Sequence, residues 1–494
     1  MPDVTESTSD RKGPVVVVGA GMAGLGAAAT LRRAGREVVV LERLDQVGGL
    51  ARSVEFDGHV FDVGPHYFFL DVGEDVNALV KSCLRPEEWR PIDFKINALI
   101  GRSDVPWPPT ASAVFKLPPS GIYTFLKRAF KQDLPTTHVA RDFLKACYGD
   151  SMYRIFLGPY LRKKVPPSGG AERLHRDWWN QTARTIHNVP DAKRDKLLQT
   201  EKALVERYLA RYPQPAPPVA ATADRAPVKG KGGGPRALRL MRGLVKMAVA
   251  KSYKKVLYPP QGVGIITQRV ADDFVAAGGQ LHLRASNVEL RARGDHVARV
   301  TWDGGVVEEP SHVIWTGSIH RLCQMVGVPR EELPFMTILL ALMKIRRPLK
   351  PGEDLYTYVA DPQVVFNRIY YPNRSVGGLC PKGKDSLCVE ITPDDEKDAA
   401  DPERLNDRIK SGLKKLRVCE PDDIEAIRYM FVPDSYPVYP LDYREKLDRI
   451  WSRLDRFDNL HSIGRSGQFW YNNMARSMRA GIETAQDVLG TFKA

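Results

Sequence analysis

The sequence has no CxxC pair; its six cysteines, Cys83, Cys147, Cys323, Cys380, Cys388 and Cys419, lie scattered over 494 residues. That spacing excludes a zinc ribbon or a disulfide framework and points to reduced, packed thiols in a cytoplasmic protein. A run of about 18 apolar residues is also missing, so no membrane span is expected. The opening MPDVTESTSDRKG lacks the basic start and apolar stretch of a signal peptide. Zinc-finger spacing, an RNA-recognition aromatic motif and a helix-turn-helix are absent, which removes nucleic acid from the expected partners. No Ser–His–Asp set, paired carboxylates or metal-ligand cluster stands out, and no metal is expected.

What is present is positive charge, formally +14. An excess of that size suits an anionic partner: a phosphorylated or lipid-linked small molecule, or an acidic membrane surface. From Arg225 to Lys255 there are ten Lys or Arg and no acid. Arg236, Arg239, Arg242 and Lys246 recur at helical spacing, with Leu238, Met241, Val245 and Val249 on another face. A basic amphipathic helix over residues 236–256 therefore fits either peripheral membrane contact or a core-facing helix with a solvated basic side.

A chain of this length calls for more than one core. VVVVG (Val15–Gly19) is a β-branched run suited to a strand buried on both faces, and Met22–Ala34, rich in Ala and Leu, reads as a helix. Gly35 ends that helix, and Glu37–Glu42 is a second strand. Together they make a βαβ unit whose turn is GAGMAG, with Gly19, Gly21 and Gly24 at the GxGxxG spacing. Gly19 permits the tight turn, Gly21 lets the backbone approach a diphosphate, and Gly24 lets helix and strand pack closely. Glu42, with Arg43 beside it, ends the second strand where a carboxylate can accept ribose hydroxyls.

Residues 76–187 read as mostly helical, broken by VPWPPT and LPPSG, and residues 212–235 read as a linker rich in Pro, Ala and Gly. Strand patterns return after Gly279 in QLHLR, VELRARG, HVARVTW and HVIWTG, and a last helix is expected over Asn473–Leu489. Tyr356, Tyr358, Tyr370, Tyr371, Tyr436, Tyr439 and Tyr443 cluster with Arg368, either as packing within a sheet or as a substrate wall.

The continuation ERLDQVGGLARSVEFDGHVFDVGPHYFF resembles the extended FAD fingerprint shared by amine oxidases, phytoene desaturases, protoporphyrinogen oxidases and UDP-galactopyranose mutases. The resemblance implies FAD as cofactor, with Gly48, Gly49 and Arg52 along it and Gly64, Pro65 and His66 by the flavin ring. The stretch GRSGQFWYNNMARSMRAGIETAQ is similar to the C-terminal flavin motif of the same superfamily, implying contacts from Gly464, Arg465, Asn472, Asn473 and Met474. Ala475 and Arg476 stand where related sequences commonly read Asp and His, so no role is transferred to them.

The expected fold is α/β: an FAD-binding, Rossmann-like three-layer domain with an inserted mixed α+β substrate domain. Its segments are 1–75, 258–325 and 446–494 for FAD, 76–257 for a helical cap, and 326–445 for a substrate sheet. His66 and Arg465 are the expected catalytic residues. Tyr356, Tyr358, Arg368, Tyr370, Tyr436 and Tyr439 are the expected substrate residues. Three functions compete: an FAD-dependent oxidoreductase taking hydride onto flavin N5, a redox-neutral nucleotide-sugar mutase using reduced FAD, and a non-catalytic binder of the same fold.

Overall fold

A computed structural model describes residues 13–100, 103–107, 116, 137–165, 172–178, 254–393 and 396–490. At its centre lies a five-stranded parallel sheet. Its strands are β1 (Val15–Val18), β2 (Val38–Leu41), β3 (Gln280–His282), β4 (His312–Trp315) and β5 (Leu460–Ser462), in the order β3-β2-β1-β4-β5. All four residues of β1 and of β2 are buried, as strands covered on both faces must be. The sheet is thus assembled from N-terminal, middle and C-terminal stretches of the chain.

Helix α1 (Met22–Arg33) follows β1 and packs against α2 (Gly264–Ala276) and α3 (Met474–Val488). Helix α3 opens where expected: Asn473 is its N-cap, its side-chain oxygen accepting the Arg476 N–H at 3.0 Å. Small antiparallel ribbons flank the parallel sheet, one of them formed by Glu289–Arg293, His296–Trp302 and Gly305–Glu308.

The second main sheet has seven strands. From one edge to the other they are Ile424–Pro437, Phe335–Ile345, Asp385–Ile391, Arg368–Tyr370, Tyr356–Val359, Ile96–Ile100 and Ser103–Pro106. Pairing is antiparallel except between Tyr356–Val359 and Ile96–Ile100. Along Phe335–Ile345, Leu340 and Leu342 join the main core, whereas Leu339, Ala341 and Met343 join a second core beneath the other face. Burial on both faces is why FMTILLALMKI carries no polar alternation.

The described part of residues 76–187 is mostly helical, as expected, with helices Glu74–Cys83, Ala140–Met152 and Gly158–Lys164, but the expectation missed three strands: Pro91–Asp93, Ile96–Ile100 and Ser103–Pro106, the last ending on the first two residues of VPWPPT. INALI buries Ile96, Ala98 and Ile100 and leaves Asn97 and Leu99 half-buried, a period of two rather than 3.6. The linker 212–235 and residues 236–253 of the basic segment lie outside the described residues. Lys255 and Val256 belong to the strand Lys255–Leu257, so the end of that segment is extended, not helical. No helix among the described residues is long and apolar enough to cross a membrane. None of the six cysteines is in a disulfide; Cys323 and Cys388 are buried and the rest half-buried.

Candidate flavin and substrate site

The glycine turn after β1 is built as its spacing implies. Gly19 sits at φ +105°, and a β-carbon on Gly24 would lie 1.9 Å from the Gly19 carbonyl oxygen, so α1 can leave the sheet only with glycine there. Gly21, the residue before α1, differs: its backbone is extended, no side chain caps the helix, and a β-carbon would meet nothing closer than the Gly48 carbonyl at 4.0 Å. Protein packing does not demand glycine at that position, whereas an approaching diphosphate would, and the open helix N-terminus supplies N–H groups and positive dipole for it. Glu42 is buried at the end of β2, its two oxygens accepting the Ala20 N–H at 2.8 Å and the Leu44 N–H at 2.9 Å. Arg43 is exposed beside it.

The second motif is fastened to the first. The Gly48 N–H donates to the Ala20 carbonyl at 2.8 Å, and Gly21 and Gly48 form an isolated parallel bridge. Gly48 and Gly49 both have positive φ, and a β-carbon on Gly48 would lie 2.7 Å from Thr267 Oγ1. Arg52 folds back onto the Gly49 carbonyl. Burial lowers its pKa below the usual guanidinium range, and the Glu42 carboxylate opposes that shift.

The C-terminal motif arrives at the same place. Gly464, at φ +80°, would set a β-carbon 3.1 Å from that of Ala23 in the first turn of α1. Arg465 donates to the carbonyls of Ser435 and Asn472 and lies over the rings of Tyr436 (5.1 Å) and Tyr471 (5.7 Å). Burial, then the Arg465 charge, pushes the His66 imidazole down to about 3, so it is neutral at physiological pH. Three buried polar atoms of these motifs have no protein partner: His66 Nδ1, Gln468 Oε1 and Asn472 Nδ2. Unsatisfied buried polar atoms are costly, and the nitrogen- and oxygen-rich edge of a flavin suits such groups. Met474 is buried in the first turn of α3.

The expected substrate residues separate into two groups. Tyr356 and Tyr358 touch through their hydroxyls at 3.3 Å, and the Arg368 guanidinium lies 5.2 and 5.6 Å over their rings. Tyr358 and Arg368 line an enclosed cavity of about 10 Å³, room for one water, with Trp107, Phe156, Tyr160, Trp178 and Tyr471. Tyr436 packs edge-on to Tyr471, ring centres 4.9 Å apart. Tyr370 and Tyr439 spend their hydroxyls elsewhere. Tyr370 donates to Asp62 at 2.9 Å, and Tyr439 accepts the Tyr471 N–H at 2.8 Å while stacking on Tyr443.

Three residues were not singled out in the sequence: Asp62, which lies within the extended fingerprint, and Lys164 and Glu390. Asp62 is fully buried and accepts hydrogen bonds from Ser53, Tyr258, Tyr370 and the Val263 N–H; burial raises its pKa above the carboxylate range. Lys164 and Glu390 form a buried ion pair, and Glu390 also lies 3.6 Å from Arg368. Burial, then the charges of Arg368 and Arg465, pushes Lys164 well below its usual range. Among the described residues, no group of three His, Cys, Asp or Glu could hold a metal.

A five-stranded parallel sheet opened by a βαβ unit, with a second sheet inserted and three glycine-containing motifs meeting at one helix N-terminus, defines a Rossmann-like α/β fold. Residues 17–83 match the NAD(P)-binding Rossmann-like domain family. The fungal phytoene desaturase of Fusarium fujikuroi is 40% identical over 79 residues, which are 14% of this chain and 14% of that protein. The chain thus spans only about a seventh of the length of that curated relative. Over nearly its whole length the chain is similar in fold to a reduced UDP-galactopyranose mutase (TM-score 0.74, 18% identity, 97% of this chain and 96% of that one). A protein from Exiguobacterium described as a protoporphyrinogen oxidase gives 0.66 at 13% identity, covering 97% and 99%. The chain has the fold of the FAD-dependent, amine-oxidase-like superfamily.

Proposed function

We propose that this protein is an FAD-dependent oxidoreductase acting on an organic substrate held in the aromatic cavity. The observation that supports it is the meeting of the first-helix turn, the Gly48–Arg52 stretch and the Gly464–Met474 stretch, with the cavity lined by Tyr471 and Arg368 just beyond Arg465. Gly19, Gly21, Gly24 and the N-terminus of α1 would hold the diphosphate, Glu42 the ribose, and Gly48, Gly49 and Arg52 the adjoining backbone. Gly64, Pro65, His66, Gly464, Arg465, Asn472, Asn473 and Met474 would flank the ring. When bound, FAD supplies hydride acceptance at N5.

The side chains supply the rest. Arg465 sets a fixed positive charge at the end of the site. His66, unprotonated, adds none and leaves Nδ1 free to hydrogen-bond. The aromatic walls exclude water and grip a flat or unsaturated group.

A redox-neutral mutase acting on a nucleotide sugar is the second reading, supported by the excess of cations: buried Lys164 and Arg368 and half-buried Arg465 against buried Glu390. It ranks below the first because Arg368 is the single cation lining the cavity, whose other walls are aromatic.

The test is an anaerobic absorbance measurement on the FAD-loaded protein, with oxidisable substrates and with nucleotide sugars. Bleaching of the oxidised flavin band by an organic substrate supports the oxidoreductase. Turnover of a nucleotide sugar by pre-reduced protein only, with no bleaching by any substrate, reverses the order of the two readings.

A further inference from the structure

The wall of the cavity contains an arrangement that the flavin motifs do not account for. Six of its seven lining side chains are aromatic, which by itself suits a cationic amine through cation–π contact. The seventh is Arg368, 7% exposed, and it reverses that preference. Its Nε is buried with no partner. Nearby, Glu390 on Asp385–Ile391 is 2% exposed, with one oxygen taken by Lys164 and lying 3.6 Å from Arg368 Nη2, and the other unpartnered. Lys164, at the end of the Gly158–Lys164 helix, is fully buried over the Tyr436 ring at 4.5 Å. The tyrosines Tyr160, Tyr356, Tyr358 and Tyr471 are held protonated by burial and add no negative charge.

We propose that the Lys164–Glu390 pair is a positioning device that fixes Arg368 in the cavity wall and makes the cavity select an anionic oxygen head group while rejecting ammonium. The claim rests on the reading of this cavity as the substrate side of the site. Its logic is electrostatic. Lys164 and Arg368 flank Glu390, and half-buried Arg465, over the Tyr436 and Tyr471 rings, adds a second guanidinium charge close enough to act on Lys164, so the group is net positive whether or not Lys164 is protonated. A lone buried guanidinium would be strongly penalised and free to turn away. Glu390 offsets its charge from one side, and Lys164 keeps Glu390 from turning fully onto Arg368. Arg368 thereby retains a free Nε edge, and an Nε/Nη fork is the geometry that grips a carboxylate or phosphate oxygen pair. An ammonium entering the same space meets like charge with little water to screen it. Because the cavity is closed down to about the size of a water, binding also requires aromatic side chains to swing outward.

The experiment uses the FAD-loaded full chain and four small probes of one shape: benzoate, phenyl phosphate, benzyl alcohol and benzylamine. Binding is followed by calorimetry, which needs no turnover, and checked by the change in tryptophan fluorescence, to which Trp107 and Trp178 of the cavity wall contribute among the eight tryptophans. Benzoate or phenyl phosphate should bind at least about ten-fold more tightly than benzylamine, with the alcohol between. Which anion binds better identifies a carboxylate or a phosphate head. Glu390→Gln should bring the anion-to-amine ratio to within about three-fold and lower thermal stability, since it leaves Lys164 uncompensated. The double variant Lys164→Met/Glu390→Gln separates positioning from mere support: it should recover most of the stability but not the anion preference. Glu390→Asp, which keeps the charge, should retain a reduced preference.

Benzylamine binding as tightly as the anions in the unmodified protein would overturn the proposal, and so would no anion binding at about 50 mM, beyond the weakest useful affinity. Recovery of both stability and preference in the double variant would reduce the pair to a structural role. Flavin reduction is scored separately, so a failure of the oxidoreductase reading leaves the binding result interpretable.

Discussion

Gly481 lets the C-terminal helix rest on the backbone of the first: a β-carbon there would lie 2.0 Å from the Ala23 carbonyl oxygen and 2.8 Å from the Ala27 nitrogen. Gly26 does the same in return, facing the Met478 carbonyl at 2.6 Å. This seam of α1 and α3 brings the C-terminal motif to the dinucleotide turn. Gly481→Ala should therefore lower stability by about 3 kcal/mol, the upper part of the range for overpacking. It should also weaken FAD retention, because Gly464 is carried by the same seam. Urea denaturation and the flavin content of the purified variant check both effects.

Gly21 offers the contrasting case. With 4.0 Å of clearance to the nearest protein atom, Gly21→Ala should fold normally, and Gly21→Val should lose FAD while keeping its secondary structure. The measurement is the absorbance of released cofactor alongside circular dichroism. A Val variant that stays fully yellow would show that the diphosphate does not pass that position.

The contrast also shows how far the sequence could be read. VVVVG, GAGMAG and EVVVLE became β1, the turn and β2 within a residue at each end, because burial on both faces and the glycine requirements of the turn act locally. Asn473 as the start of the last helix was legible for the same reason. INALI was not, since five residues of period two were outweighed by the helical surroundings. Lys164 and Glu390 lie 226 positions apart and neither sits in a motif, so only the assembled sheets bring them together. Tyr356 and Tyr370 look alike in sequence, yet one is beside Arg368 and the other is bound to Asp62.

Asp62 joins the strand before His66 to Tyr258 and to the second sheet, so its loss should loosen both. Asp62→Asn places a donor where four donors converge, and should cost about 3 kcal/mol. Tyr370→Phe, which removes one of them, should cost about 1 kcal/mol. The pH dependence has a definite sign. The folded-state pKa of Asp62 is raised above its ordinary 3.8, so its contribution is complete below that pH and is lost as pH rises through the raised value. Unfolding midpoints between pH 3.5 and 7 of the native protein and of Asp62→Asn, subtracted, should reveal this loss; equal slopes in the two would rule it out.

Arg465 and His66 provide the last prediction, because each reports on the other. Arg465 is the second largest influence holding the His66 pKa at about 3, after burial. In the folded protein the His66 pKa is lowered from the ordinary 6.5 to about 3, so its contribution to stability is present above 6.5 and is lost as pH falls toward 3. The slope in that window approaches about 1.4 kcal/mol per pH unit. Arg465→Met should raise the His66 pKa and narrow the window, so the variant loses less stability between pH 6.5 and 4 than the native protein. His66→Gln should remove that part of the acid sensitivity altogether. Arg465→Lys distinguishes charge from tethering: it keeps the positive charge that lowers His66, but a single ammonium cannot hold Ser435 and Asn472 in the same way as the two ends of a guanidinium. Histidine titration by NMR should therefore place His66 in the Lys variant near its native value and in the Met variant higher. In the FAD-loaded protein the Met variant should show a flavin potential lower by roughly 30 mV, equivalent to about 1.4 kcal/mol for two electrons, and the Lys variant a smaller change. A Met variant with unchanged histidine titration and unchanged potential would show that the Arg465 charge acts on neither the imidazole nor the cofactor, leaving it the task of tying Ser435 to Asn472.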